Sequence, residues 1–280
     1  MFRYSGIADE AGKPLDVQIK AQKELGWDAI EIRNIDGVNI TDLCDEEFEK
    51  AYGKIMESGL FVSDFASQLC NWSRPISKHV DIDVDELKRA IPRMQRFGTK
   101  YIRMMSYPNA GWPEAEWRKE VIRRIKLLAR IAEDGGIILA HENCNGWGGV
   151  SPENALELKQ EVDSPAFQLL FDTGNPPAHG QDSWNFYSKT IDHTAYIHIK
   201  DCKNVEGKVH YAYCGDGNGS VPEILADLHK RGYDGFVSIE PHLAAIVHEA
   251  KDADDKDVAF EKYVKYGRRL MAEAEKAAGK

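Results

Sequence analysis

The sequence is expected to fold as an α/β protein, a (β/α)8 TIM barrel in a single domain over residues 1–280, and three observations support this. Eight β-like apolar runs alternate with eight helix-like segments from end to end, as parallel strands joined by crossover helices require. No G-x-G-x-x-G follows the first strand, which makes an open dinucleotide-binding sheet the weaker reading. The 280 residues lie close to the roughly 250 such a barrel needs, and no Pro/Gly/Ser-rich linker interrupts the alternation.

FRYSGIAD reads as the first strand and is followed by the amphipathic stretch PLDVQIKAQKELG, ending on Gly26. WDAIEIRNI alternates β-branched and polar residues as a second strand, and DEEFEKAYGKIMESG is a helix closing on Gly59. The third strand, LFVSDFAS, leads through a loop holding Asn71, Trp72 and Pro75 into DVDELKRAIPRMQRFG, where Pro92 predicts a kink or a late start. TKYIRMMSY and the long helix EAEWRKEVIRRIKLLARIAEDGG complete the first half. IILAHEN, AFQLLFDTG, TAYIHIKD and GFVSIEPH are strands five to eight. Their helices are SPENALELKQEV, SWNFYSKTIDH, VPEILADLHKRG and AFEKYVKYGRRLMAEAEKAAG. Ser151 before Pro152, and Ser220 with Glu223 in a capping-box spacing, mark helix starts, while Gly98, Gly136 and Gly232 mark ends.

Each of the last four strands ends on a residue that can bind a metal: Glu142, Asp172, His198 and Glu240. Alternate residues of a strand face the same side. Ala140 therefore shares the inward face of Glu142 while His141 turns toward the helices. Leu170 goes with Asp172, Tyr196 and Lys200 with His198, and Ser238 with Glu240. The C-terminal ends of barrel strands surround one mouth, where active sites lie. Any one of these residues alone would serve as an ordinary strand-end hydrogen-bonding group; the joint arrangement points to one divalent ion. Three carboxylates and one imidazole suit Mn²⁺, Co²⁺ or Mg²⁺ better than Zn²⁺. The remaining negative charge calls for a nearby cation, and Lys200 is the candidate, with a catalytic role open to it.

HEN, FDTGN, HIKD and GYDGFVSIEPH, with GWDAIEIRN after the first helix, resemble the xylose-isomerase-like superfamily of sugar isomerases and epimerases over nearly the whole chain. The resemblance implies a metal-dependent isomerase or epimerase that abstracts a proton α to a carbonyl through a metal-stabilised enediolate. Glu142, Asp172, His198 and Glu240 would be the ligands, and Glu142 and Glu240 also the acid–base pair. It further implies a small sugar or oxo-sugar substrate and a homodimer or tetramer. The ketose 3-epimerase branch carries a histidine three residues after the strand-six aspartate and an arginine six after the strand-seven histidine. It also has a glutamate six after the strand-five ligand. Asn175, Asn204 and Gly148 stand at those places. A lyase of the same superfamily, acting as dehydratase, hydratase or decarboxylase on an oxo-sugar or oxo-sugar acid, is therefore the competing reading.

Further candidates surround the expected mouth. Glu31 and Arg33 share a face at the end of strand two, either as a structural ion pair or as carboxylate- or hydroxyl-binding groups. Asp9 and Glu10 would cap a helix, pair with Arg33 or meet a sugar hydroxyl. Asn71–Trp72 and Asn145–Gly146–Trp147 place tryptophans on mouth loops, where they would enclose substrate or pack. Asn175 and His242 complete the substrate-binding candidates, and the loop Gly215-Asp216-Gly217-Asn218-Gly219 reads as a tight turn supporting the site. Cys144 and Cys202 read as bystanders near the mouth.

Composition narrows the function classes. A net charge of -10 argues against nucleic-acid partners, which select basic surface. The apurinic endonuclease branch of the superfamily would need further histidines at strand ends two, three and six; Glu31, residues 64–67 and Asn175 stand there. Five scattered cysteines without a C-x-x-C pair, and a start without a signal-peptide pattern, suggest a reduced cytoplasmic protein. No apolar run approaches the ~18 residues of a membrane helix. A non-catalytic sugar-binding barrel is the remaining alternative.

Overall fold

The computed structural model describes residues 2–244 and 256–279. Strand β1 (Arg3–Gly6) is followed by α1 (Leu15–Glu24), β2 (Ala29–Ile32), the short hairpin β3 (Asn34–Ile35) and β4 (Val38–Asn39), and α2 (Asp45–Ser58). Then come β5 (Phe61–Phe65), α3 (Asp81–Phe97), β6 (Tyr101–Ser106), α4 (Glu114–Asp134), β7 (Ile138–Gly146) and α5 (Pro152–Val162). The chain continues through β8 (Phe167–Asp172), α6 (Asn175–Ala178), α7 (Ser183–Thr190), β9 (Thr194–Ile199) and the hairpin β10 (Cys202–Val205) and β11 (Lys208–Tyr211). It ends with α8 (Val221–Lys230), β12 (Phe236–Ile239) and α9 (Lys256–Ala277). Eight parallel strands run in the order β1-β12-β9-β8-β7-β6-β5-β2, and a bridge between Ile7 and Glu31 brings β2 back to the start. This is the expected (β/α)8 barrel. Among the described residues, no helix is long and apolar enough to cross a membrane.

The helices form where apolar side chains recur at helical spacing and bury one face. In α3 these are Leu87, Ala90, Met94 and Phe97; in α4, Val121, Ile125, Leu128 and Ala132. Gly59 and Gly98 end α2 and α3 at φ 71° and 72°, a left-handed backbone that glycine adopts without a Cβ clash. α3 runs unbroken from Asp81 through Pro92, so the late start does not occur. Pro92 lies on the exposed side, where water can serve the carbonyl its missing N–H leaves unpaired. Ser151 caps α5 by accepting the Asn154 N–H at 3.1 Å. Ser220 does not cap α8: its φ of 51° is left-handed, whereas a side-chain cap needs extended backbone.

Inside the barrel the expected parity holds. Ala140, Leu170 and Tyr196 pack together with Ala29 and Phe236. Below them the Arg3 guanidinium lies 4.1 Å from the centre of the Phe236 ring, which stacks on Phe61. β5 carries a bulge: Ile30 pairs with Val62 but Glu31 with Asp64, leaving Ser63 as the extra residue. Ser63 turns inward, bonding the Ser5 and Tyr196 hydroxyls at 2.7 and 2.9 Å, and Asp64 lies buried beside Glu31. The glycine-rich loop is a structural support, as expected: Asp201 collects the N–H groups of Cys202, Gly215, Gly217 and Gly219 at 2.8–3.0 Å.

Candidate metal centre

Parallel strands in this register bring four side chains to one level. Glu142, Asp172, His198 and Glu240 are all buried, and each offers a ligand atom within 4.8 Å of the other three. His198 Nδ1 stands 3.8 Å from Glu142 Oε1 and 3.9 Å from Glu240 Oε2. Glu142 Oε2, Asp172 Oδ2 and His198 Nδ1 have no hydrogen-bond partner, although Asp172 Oδ2 has an ion contact with Lys200 Nζ at 3.1 Å. Leaving such atoms unpaired in the interior is costly, and a cation among them would satisfy all three. The donor set therefore fits a divalent metal ion.

The surroundings aim these ligands. His198 Nε2 lies 3.0 and 3.1 Å from the two Glu31 oxygens, which also accept the Tyr196 hydroxyl at 3.0 Å and the Ser238 hydroxyl at 2.5 Å. Holding the proton on Nε2 leaves the Nδ1 lone pair for a metal. Asp172 Oδ1 accepts the N–H groups of Gly174 and Asn175 at 2.8 and 2.7 Å. The Asn175 side chain donates to Glu142 Oε1 at 3.1 Å. Glu240 accepts from Arg33 and Lys200, both at 2.9 Å. Arg103 lies 3.7 Å from both Glu142 and Glu240.

Charge is balanced tightly here. Burial opposes ionisation of Glu142, but Arg103 and His198 outweigh it and bring its pKa down to about 2. Glu240 is also held well below the carboxylate range: burial works against it, but Lys200, His242, Arg33 and Arg103 win. Burial raises Asp172, and Lys200 does not cancel the rise that Glu142 and Glu240 reinforce. Burial would lower Lys200, yet Asp172, Glu240 and Glu142 keep the ammonium charged. Beneath the cluster, burial and then Glu31 raise Asp64 well above its ordinary value, against the lowering effect of His198 and Arg103.

Above the cluster opens a cavity of about 300 Å³. Arg33, Asn71, Trp72, Asn145, Asn175 and His242 line it, as do Lys200, Glu142 and Glu240. Two residues expected at the mouth are elsewhere. Trp147 is buried among the helices, donating to Glu114 Oε1 at 2.6 Å, because Gly146 turns the chain away at φ 95° with the Ser106 carbonyl pressed against it. Glu31 lies under the ligands, held by three side chains, and does not face the cavity. The Glu31–Arg33 pair does not form; Arg33 instead joins Asp9 at 2.8 Å, Glu10 at 3.3 Å and Glu240. His242 Nδ1 meets Glu10 at 2.8 Å.

A family profile for xylose isomerase-like TIM barrels matches residues 19–262. The chain belongs to that family. Among curated relatives, the chain is 42% identical over 105 residues to 2-epi-5-epi-valiolone 7-phosphate 2-epimerase of Actinoplanes sp., covering 37% of this chain and 36% of that one. It is 26% identical over 142 residues to inosose dehydratase of Bacillus licheniformis, covering 45% of this chain and 47% of that one. The chain spans about half the length, or less, of the curated relatives it matches. Among solved structures, the IOLI protein with a binding zinc atom superposes at a TM-score of 0.77, with 17% identity over 99% of both chains.

As a xylose isomerase-like barrel the protein has departures with physical causes. A Cβ on Gly148 would come within 2.4 Å of Leu158 Cδ2 and 3.1 Å of the buried His141 ring, so a glutamate there would have to displace the Leu158 side chain. Asn204 sits on the exposed β10–β11 hairpin and donates to the carbonyl of Ala178, and is not itself among the residues that line the cavity. Neither hairpin was expected, yet Asn34, Asn39, Val209 and Tyr211 from them line the mouth. Arg103 and His179 are also cavity residues that the sequence reading missed. Parity could have found Arg103, an arginine sharing the inner face of a buried strand with Tyr101; nothing in the pattern around His179 marks it.

Proposed function

We propose that this barrel is a divalent-metal-dependent sugar isomerase or epimerase, working by proton abstraction next to a carbonyl. The observation that carries the reading is the set of three buried ligand atoms without a hydrogen bond on Glu142, Asp172 and His198, closed by Glu240. An ion held there would supply Lewis acidity toward a substrate carbonyl oxygen, with Mn²⁺, Co²⁺ or Mg²⁺ favoured by the carboxylate-rich donor set. Glu142 and Glu240 reach the cavity from different strands and serve as the acid–base pair, one taking the α-proton and the other returning it. Both oxygens of Glu240 are hydrogen-bonded by cations, whereas Glu142 Oε2 has no hydrogen bond and only the longer 3.7 Å ion contact with Arg103. Lys200 holds Glu240 ionised and steadies negative charge that develops on the substrate. Arg33, Asn71, Trp72, Asn145, Asn175 and His242 supply the walls that orient hydroxyl groups.

A lyase is the second reading, favoured by Gly148: tight packing there removes the side chain that the ketose 3-epimerase branch places on substrate. In that case the ammonium of Lys200 protonates a departing hydroxyl. The test is proton NMR in D₂O with metal-loaded protein and a panel of ketoses and 3-oxo-sugar acids. Deuterium uptake with a changed stereocentre supports the epimerase, and loss of water supports the lyase. Glu142→Gln and Glu240→Gln should each lower the exchange at least about 100-fold. Full exchange and tight Mn²⁺ binding in both variants would overturn the assignment.

A further inference from the structure

A second cavity of about 240 Å³ adjoins the mouth. The two share Cys144, Asn145, Asn175 and His179 as a common wall. Beyond that wall the side chamber is faced by Gly149, Val150, Pro176 and Phe186. The polar side chains there are already engaged. Asn143 is bonded on both sides to the Asp172 backbone at 2.6 and 3.0 Å, and Gln181 donates to the Val150 carbonyl at 2.8 Å. Asn175 is spent on Glu142. Asn145 makes only a weak contact with the Cys144 sulfur at 3.6 Å, so its amide, beside the His179 imidazole, is available at the junction. Polarity thus falls along a path from the charged centre, through a junction with free amide and imidazole groups, to an apolar end.

A monosaccharide at the metal centre would reach only the mouth cavity; a group in the side chamber must be attached to it. We propose that the side chamber is a subsite for the apolar aglycone of a glycoside whose sugar ring occupies the mouth. Asn145 and His179 lie where the polar linking oxygen would pass. The inference rests on reading the mouth as a sugar site, and it adds a substrate class: glycosides with a compact, weakly polar aglycone rather than free sugars.

The test separates binding from turnover. Calorimetry on the metal-loaded protein compares phenyl and methyl β-D-glucoside, two unreactive probes that differ only in the aglycone. The phenyl glucoside should bind about tenfold more tightly, a difference of ~1.4 kcal/mol. Val150→Trp and Gln181→Trp, each placing an indole in the chamber from an exposed position, should both abolish that preference. Equal affinities for the two probes, no binding of either, or a phenyl preference that survives both substitutions would overturn the subsite. A phenyl preference lost in the variants, together with no deuterium exchange in any sugar, would support the subsite and sink the proton-abstraction reading instead. The two failures are therefore distinguishable.

Discussion

Replacing Glu31 by glutamine keeps the size of the side chain and removes the group that aims His198. The native carboxylate receives three donors, from His198 Nε2, the Tyr196 hydroxyl and the Ser238 hydroxyl, at 2.5–3.1 Å. A carboxamide offers one oxygen in place of two, so at least one donor must face an N–H₂ group. The imidazole is then free to carry its proton on Nδ1, the atom aimed at the other three ligands. Loss of such an outer partner lowers metal affinity by about 10–100-fold, or ~1.4–2.7 kcal/mol. The assay is Mn²⁺ titration of metal-free native and E31Q protein against a competing chelator, with the Co²⁺ absorption spectrum as a readout of ligand geometry. Tyr196→Phe removes one donor but leaves the His198–Glu31 contact, and should change affinity by less than about threefold. An E31Q protein that binds Mn²⁺ within twofold of the native one and shows an unchanged cobalt spectrum would refute the reasoning.

Burial opposes protonation of His198, but Glu31 and Glu142 outweigh it and raise the imidazole well above its ordinary value. Metal then competes with a proton for Nδ1, so Mn²⁺ affinity should rise with pH, by about tenfold per unit, until the imidazolium has lost that proton; a flat profile by chelator competition would contradict this. Gly148→Glu should destabilise the fold by ~3 kcal/mol or more through its clash with Leu158, seen as a melting-temperature drop of several degrees, without creating a new substrate contact. Trp147→Phe should cost ~1 kcal/mol from the lost Glu114 hydrogen bond and leave sugar KM within twofold, since the indole lies away from the mouth. Burial, with a further push from Glu142, takes the Cys144 thiol up to about 12, so iodoacetamide at pH 8 should label exposed Cys44 and spare Cys144, as peptide mass mapping would show.

Much of this architecture is legible in the sequence because periodicity is physical. Strands that bury both faces and helices that bury one leave different spacings, and the parity that put Ala140, Leu170 and Tyr196 inside also set Glu142, Asp172 and His198 at one level. What was missed lies where a single residue breaks the rule. The extra Ser63 shifts β5 by one position, so Asp64 faces Glu31 although simple alternation from Ser63 sends it outward. Gly146 turns Trp147 to the helices by one backbone conformation that neighbouring residue types do not announce. The pairing of Arg33 with Asp9 and Glu10 was among the expected alternatives, but its bond to Glu240 in place of Glu31 is a choice that only three-dimensional proximity decides. The two hairpins are short, two to four residues per strand, too brief for a periodic signal.

Among the described residues, the backbone of Glu31 forms the isolated bridge to Ile7 by which β2 meets the chain leaving β1, and its side chain holds His198. The seam of the cylinder and the aim of a metal ligand therefore share one residue. Strain or breathing at that seam is felt directly by the imidazole, and an ion seated above should clamp the cylinder shut like a hoop. In hydrogen-exchange terms, amides of β1 and β2 flanking the seam become the natural gauge of occupancy, protected when the centre is loaded and opening first when it is stripped.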